Sequence, residues 1–129
     1  MSLLHVPPGI YRGVVAGVES GDCIARIEVR AVPGGCLTVA YEAVSDQHGL
    51  QHAEHALVSG DALYVAFAEG RGVTVFTAVA QGVYETATEP RMRIVAAFED
   101  GELSWAWHWG GPDERPAERS RARCRRAEW

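Results

Sequence analysis

The sequence has little of what several special classes of protein require. The formal net charge is −5, so the basic surface that neutralises phosphates is missing and we expect no nucleic-acid partner. Only three cysteines occur, Cys23, Cys36 and Cys124, and none forms a CxxC pair. An odd count without that spacing argues against both a disulfide framework and a structural zinc site.

Long apolar runs are also absent. No segment has the roughly eighteen uninterrupted apolar residues of a membrane span. The opening MSLLHVPPGI has no positive region and only a short apolar run, unlike a signal peptide. We therefore expect a cytoplasmic protein without a membrane partner.

The motifs of common enzyme classes are missing too. No GxSxG, HExxH, P-loop or GxGxxG pattern occurs. The carboxylates Glu42, Glu54 and Glu85 fall where an outward strand face is expected, and none forms a recognisable acid–base pair. The motifs thus predict no catalytic residues, no metal and no resident cofactor.

What remains is an ordinary globular composition. The chain has 129 residues, of which 47% are hydrophobic and 22% charged. This length suits one domain with a real core, and we expect a single domain over residues 1–129.

Alternation with a period of two dominates the chain. In ARIEVRA, residues 25–31, the odd positions are apolar and the even ones are charged, and the segments around Tyr41, Val65 and Ile94 also alternate. Such alternation is typical of strands that bury one face. Turn signals separate the segments at 19–22, 33–35, 45–46, 59–61, 69–72, 81–82, 89–90 and 99–101.

Short connections between consecutive strands favour an antiparallel up-and-down meander of nine or ten strands. Closure into a barrel removes the sheet edges, so we predict an all-β barrel, with a β-sandwich as the alternative. The proline-rich segment 110–118 is predicted to be a loop before a last strand, Arg119–Arg126. In that strand the arginines are expected outward and Ser120, Ala122 and Cys124 inward.

The start of the chain carries a family resemblance. Gly9-Ile10-Tyr11 opens the first predicted strand, followed by Gly13 and Gly17. This resembles the glycine–any–tryptophan signature of lipocalin-like barrels, with tyrosine in place of tryptophan. In the wider calycin group, which includes lipocalins, fatty-acid-binding proteins and nitrobindin-like haem proteins, a late arginine packs over that aromatic. The resemblance implies this role for Arg121 or Arg123, and it implies an intracellular lipocalin-like barrel.

Three of the four tryptophans lie in SWAWHWGG, residues 104–111. On a strand, Trp105 and Trp107 share a face with Leu103, and exposing that face would create a large apolar patch. We predict that both point inward, with Trp109 at the rim. The pattern fits a filled core or the wall of a ligand cavity, since barrels of this size do either.

The histidines cluster in HGLQHAEH, residues 48–55. His52 and Glu54 share a strand face, predicted to be the solvated one, where two ligands alone would make a weak metal site. His55 shares the parity of Ala53 and Leu57 and is predicted to face inward. From there it would hydrogen-bond a ligand, ligate a haem iron, or pair with the backbone as a core histidine.

Together these patterns predict a small barrel that binds a hydrophobic or amphipathic small molecule in its lumen. The predicted lining is Tyr41, His55, Trp105 and Trp107. One alternative is an isomerase- or cyclase-type enzyme that uses the same cavity with His55 as its base. The other is a filled barrel that acts as a homodimer or partner module.

Overall fold

A computed structural model describes residues 3–17, 23–68, 72–88, 91–111 and 113–127 of the chain. Within them, ten antiparallel strands close into a barrel in which each strand pairs with its neighbours in sequence and the last pairs with the first. The strands are β1 (Gly9–Gly17), β2 (Cys23–Val32), β3 (Cys36–Ser45), β4 (Gly49–Ser59), β5 (Ala62–Phe67), β6 (Val73–Ala80), β7 (Val83–Glu85), β8 (Met92–Glu99), β9 (Glu102–Trp109) and β10 (Ala117–Arg126).

The predicted fold class is therefore confirmed, and closure rules out the sandwich. The alternation predicted for β2, β3, β5 and β8 is also confirmed, because their apolar positions point into the barrel. The turns predicted at 19–22 and 89–90, and most of the one at 69–72, lie outside the described residues.

One end of the barrel is filled. A short 3₁₀ helix, Leu3–His5, precedes β1 and buries Leu3, and Val6 is buried just after it. These two side chains pack against Val29, Leu103 and Trp105 so closely that no space for a water molecule remains. We call this region the closed end.

The arginine beside Tyr11 on the last strand is neither of the two that were predicted to cover it. Tyr11 is buried and donates a hydrogen bond from its hydroxyl to the Pro7 carbonyl, 2.7 Å away. Its cross-strand neighbour on β10 is Arg126, whose positive charge opposes the rise that burial causes in the pKa of Tyr11. The prediction of Arg121 or Arg123 is wrong because both have the parity of the outer face.

The last strand otherwise follows its pattern, with Ala122 and Cys124 buried inside. It begins at Ala117, two residues earlier than predicted, and a bulge shifts its register on β9 between Glu118 and Ser120. A bulge re-aims the side chains beside it. Arg119 lies beside this bulge. It was predicted to point outward, but it lines the lumen at the end opposite the closed end.

Candidate functional site

The opposite end of the barrel holds a cavity of about 430 Å³. Its wall is mainly aromatic and aliphatic, with a few polar side chains, and the exposed Trp109 and Gln51 at its edge show that it opens to solvent. We call this region the open end. The lining residues are Val15, Tyr41, Ala43, Gln51, His52, Phe67, Met92, Trp107, Trp109, Arg119 and Ser120.

The histidine in this cavity is His52, not His55. On β4 the inward side chains are His52, Glu54, Ala56 and Val58, and His55 is exposed on the outer face. The predicted inward facing of His55 and the predicted outward facing of Glu54 are both wrong. Both faces of this strand contain apolar residues, so parity alone misassigned them.

The pairing of β4 with β5 across the next turn shows which side chains of β4 point inward. Val58 pairs directly with Leu63 on β5 across the tight turn at 59–61. Directly opposed residues point to the same face, and Leu63 belongs to a clearly alternating strand. The even positions of β4 therefore had to point inward, together with Val58.

Glu54 is the unusual residue of the core, because its carboxyl is only 1% exposed. Its Oε1 accepts a hydrogen bond from the Trp107 indole Nε1 at 2.5 Å and shares a second hydrogen bond with His52 Nε2 at 2.9 Å. Its Oε2 and the Trp105 Nε1 are buried without a hydrogen bond of ordinary geometry within the described residues. A buried carboxyl with one poorly satisfied oxygen is costly to the fold, so folding stability does not account for Glu54 at this position.

The electrostatics of this carboxyl reflect two opposing effects. Burial raises the pKa of Glu54, while the hydrogen bonds and charge of His52 and the indoles of Trp107 and Trp105 lower it. The net direction is upward. Burial therefore outweighs the hydrogen bonds and favours the protonated form of the Glu54 carboxyl.

Aromatic rings enclose the His52 imidazole. The ring centroids of Tyr41 and Trp107 lie 5.7 and 5.9 Å away, both edge-on, and that of Phe67 lies 6.3 Å away. The imidazole still reaches the cavity, because 29% of the His52 side chain is exposed. Its position is thus fixed by packing on several sides while it remains available to a ligand.

The rim of the cavity carries a cation. Arg119 lines the mouth and donates a hydrogen bond from Nε to the Trp109 carbonyl at 3.1 Å. Trp109 is 37% exposed, in line with its predicted position at the rim. Polar ligand groups at the mouth would therefore meet Arg119, and apolar groups would meet the rings below.

Two of the predicted lining residues, Tyr41 and Trp107, lie together in the cavity wall. Trp105 faces inward as predicted, but it lies deeper, against the closed end, and does not line the cavity. His108 lies on the outer face of β9, 3.8 Å from Glu118, where burial lowers its pKa. Residues that the sequence interpretation left out of the lining include Gln51, His52, Phe67, Met92 and Arg119.

The outward position of His55 also removes it as a lumen ligand for a haem iron. Within the described residues, no group of three or more His, Cys, Asp or Glu side chains could hold a metal ion. The same part of the chain contains no helix with the length and apolar character needed to cross a membrane.

No family model and no curated protein matches this chain. Among solved structures, it is similar to the crystal structure of Rv2717c from M. tuberculosis, with 17% sequence identity and a TM-score of 0.68. The similarity covers 94% of this chain and 92% of that one. At this level of identity the likeness shows the fold, a small β-barrel, and nothing of the ligand.

Proposed function

We propose that this barrel binds a small apolar or amphipathic molecule in the cavity at its open end. The observation that carries the proposal is the cavity itself, about 430 Å³ in volume. That size falls within the range of about 300–1,000 Å³ that is typical of small-molecule sites.

The composition of the wall supports the same reading. Ligand sites are lined mostly by apolar and aromatic groups, with a few polar groups that fix orientation. Here Phe67, Met92 and Trp107 supply the apolar surface, and His52 and Arg119 supply polar contacts. An amphipathic ligand would place its apolar part among the rings and its polar part toward the imidazole or the mouth.

The test compares two adjacent valines of β1. Val15 is buried and lines the cavity, whereas Val14 is 65% exposed on the outer face. Val15→Phe should fill part of the cavity and weaken binding of the apolar dye 8-anilinonaphthalene-1-sulfonate at least tenfold. Val14→Phe adds the same side chain outside and should leave the dye affinity unchanged.

Fluorescence titration of the dye gives the affinities, and near-ultraviolet circular dichroism checks that both variants keep native packing. Equal dye affinity for Val15→Phe and the native chain would place the dye outside the cavity and contradict the proposal. Absence of saturable dye binding by the native chain would contradict it as well.

A further inference from the structure

The His52–Glu54 pair has a geometry that ligand binding alone does not require. A ligand site needs a polar group at its surface, but here a second polar group lies behind the first. His52 lines the cavity and Glu54 does not. Glu54 contacts the imidazole from the core side, through Nε2.

The cavity, the imidazole and the buried carboxylate thus follow one another in this order. Proteins use the same arrangement to orient a histidine that exchanges protons. A carboxylate that accepts from one ring N–H fixes the tautomer, so the other ring nitrogen carries the lone pair. When Glu54 is ionised and a neutral His52 donates its Nε2 proton to Glu54 Oε1, the basic nitrogen is Nδ1. The Trp107 indole holds the same oxygen at 2.5 Å, which keeps the carboxyl from turning away.

We propose that His52, oriented by the buried Glu54 carboxylate, is a general base that removes a proton from a carbon atom of a small, apolar molecule bound in the cavity. The proposal rests on the proposed binding function and adds a reaction class to it, namely proton transfer. The apolar character of the molecule follows from the rings of Tyr41, Phe67 and Trp107 around the imidazole.

Burial supplies the driving force for this chemistry. When Glu54 is ionised and His52 neutral, the pair carries one negative charge in a poorly solvated place. Taking up a proton converts it to an imidazolium–carboxylate pair with no net charge, and this change relieves the cost of burying the anion. The same cost raises the pKa of Glu54, because burial penalises an ionised carboxyl that no positive charge neutralises.

Two other titratable residues of the described part of the chain line the same cavity, Tyr41 and Arg119. Burial, followed by the charge of Glu54, raises the pKa of Tyr41, so its phenol stays neutral over the working pH range. Arg119 on β10 lines the same cavity and stays cationic, since guanidinium groups do not deprotonate in proteins. Arg119 is therefore placed to stabilise negative charge that develops on a ligand.

The probe for this activity is 5-nitrobenzisoxazole, a small planar molecule with one acidic carbon-bound proton. His52 Nδ1 takes that proton, the C–H electron pair becomes the third bond of a nitrile, and the ring N–O bond breaks. The oxygen leaves as a nitrophenolate, so atoms and charge balance without an oxidant or a cofactor. The coloured phenolate reports the rate directly.

The native full-length chain should catalyse this elimination with saturation in the probe. His52→Gln keeps a side chain that can hydrogen-bond to Glu54 and removes the base, so we expect kcat/KM to fall about 100-fold or more, the usual contribution of a general base. His55→Gln is the matched control, because His55 lies outside the barrel on the same strand. Its rate should equal that of the native chain.

Glu54 is a positioning residue, and its test is the pH profile. Glu54→Gln retains a hydrogen-bond acceptor but removes the charge that makes His52 more basic. The midpoint of the kcat profile should therefore move to lower pH, and the plateau rate should fall. A purely structural role for Glu54 would lower the rate without moving the midpoint.

Several outcomes would overturn the inference. They are an equal rate for His52→Gln and the native chain, no turnover by the native chain, and failure of the probe to displace the apolar dye from a cavity that binds the dye. Each leaves the proposed binding function intact. If the native chain binds neither dye nor probe, the binding function fails, and the proton-transfer inference fails with it.

Discussion

At the scale of single residues, the chain places its least favourable side chain, Glu54, where an apolar group would stabilise the fold more. Its neighbours His52 and Trp107 satisfy one oxygen and leave the other without an ordinary partner among the described residues. Burial of such a group penalises its ionised form. The stability of this barrel should therefore depend on pH through Glu54.

The sign of that dependence follows from the raised pKa. Burial moves the pKa of Glu54 above its ordinary value of 4.5, so folding favours the protonated carboxyl. The contribution of this proton is complete below the unfolded pKa and is lost as the pH rises through the folded one. We expect the free energy of unfolding of Glu54→Gln to increase relative to that of the native chain as the pH rises above the ordinary carboxyl pKa of 4.5.

Urea unfolding at several pH values measures this difference, and Glu42→Gln is the control. Glu42 is exposed on β3, so its substitution changes the charge without changing a buried group. The offset between Glu42→Gln and the native chain should stay nearly flat with pH. A flat offset for Glu54→Gln as well would show that its ionisation is not linked to folding.

At the scale of elements, clear alternation made most of the barrel predictable. In β2, β3, β5 and β8 one parity is apolar and the other is largely polar or small, so each facing was determined by sequence. The strand β4 differs because both of its faces contain apolar residues. Ala53 and Leu57 lie on one face, and Ala56 and Val58 lie on the other. Only its pairing with β5 decides the facing, and pairing is a property of two strands together.

The site was less predictable than the fold for a related reason. Two bulges shape it: one on the β3–β4 pair between Ala43 and Val44, near Gln51, and one on β10 near Arg119. A bulge adds a residue to one strand and changes the facing beyond it. Alternation read from sequence has no means of locating that extra residue. Gln51 and Arg119 were therefore missed as cavity residues.

The final strand closes the barrel, and its removal tests this role. β10 pairs with both β1 and β9, so a chain that ends after Gly111 would expose the hydrogen-bonding edges of both. Unpaired edges of this kind promote aggregation. We expect the truncated chain to be insoluble or unfolded, as judged by size-exclusion chromatography and far-ultraviolet circular dichroism. A soluble monomer that unfolds cooperatively would contradict a closing role for β10.

At the scale of the whole molecule, the barrel has two unlike ends. Leu3, Val6 and Trp105 fill the closed end, and His52, Trp107 and Trp109 border the cavity at the open end. A filled end stabilises the barrel, and an open end gives a ligand access. The three tryptophans of β9 run along this axis, each at a different depth, so they report on both ends at once.

Collisional quenching by acrylamide should rank these tryptophans by depth. Variants that keep one of the three, with every other tryptophan including Trp129 replaced by phenylalanine, isolate each signal. Trp109 is 37% exposed and should quench most readily, whereas Trp105 is 1% exposed at the closed end and should quench least.

Trp107 is the informative case, because it is only 4% exposed and yet lines the cavity. Acrylamide is small enough to enter a space of that size, so its quenching constant for Trp107 should clearly exceed that for Trp105. Adding a saturating apolar ligand that does not absorb near the tryptophan emission should then lower the constant for Trp107 and leave that for Trp105 unchanged. Equal quenching constants for Trp105 and Trp107 without ligand would mean that acrylamide does not enter the cavity. This result would contradict a cavity that is open to solvent.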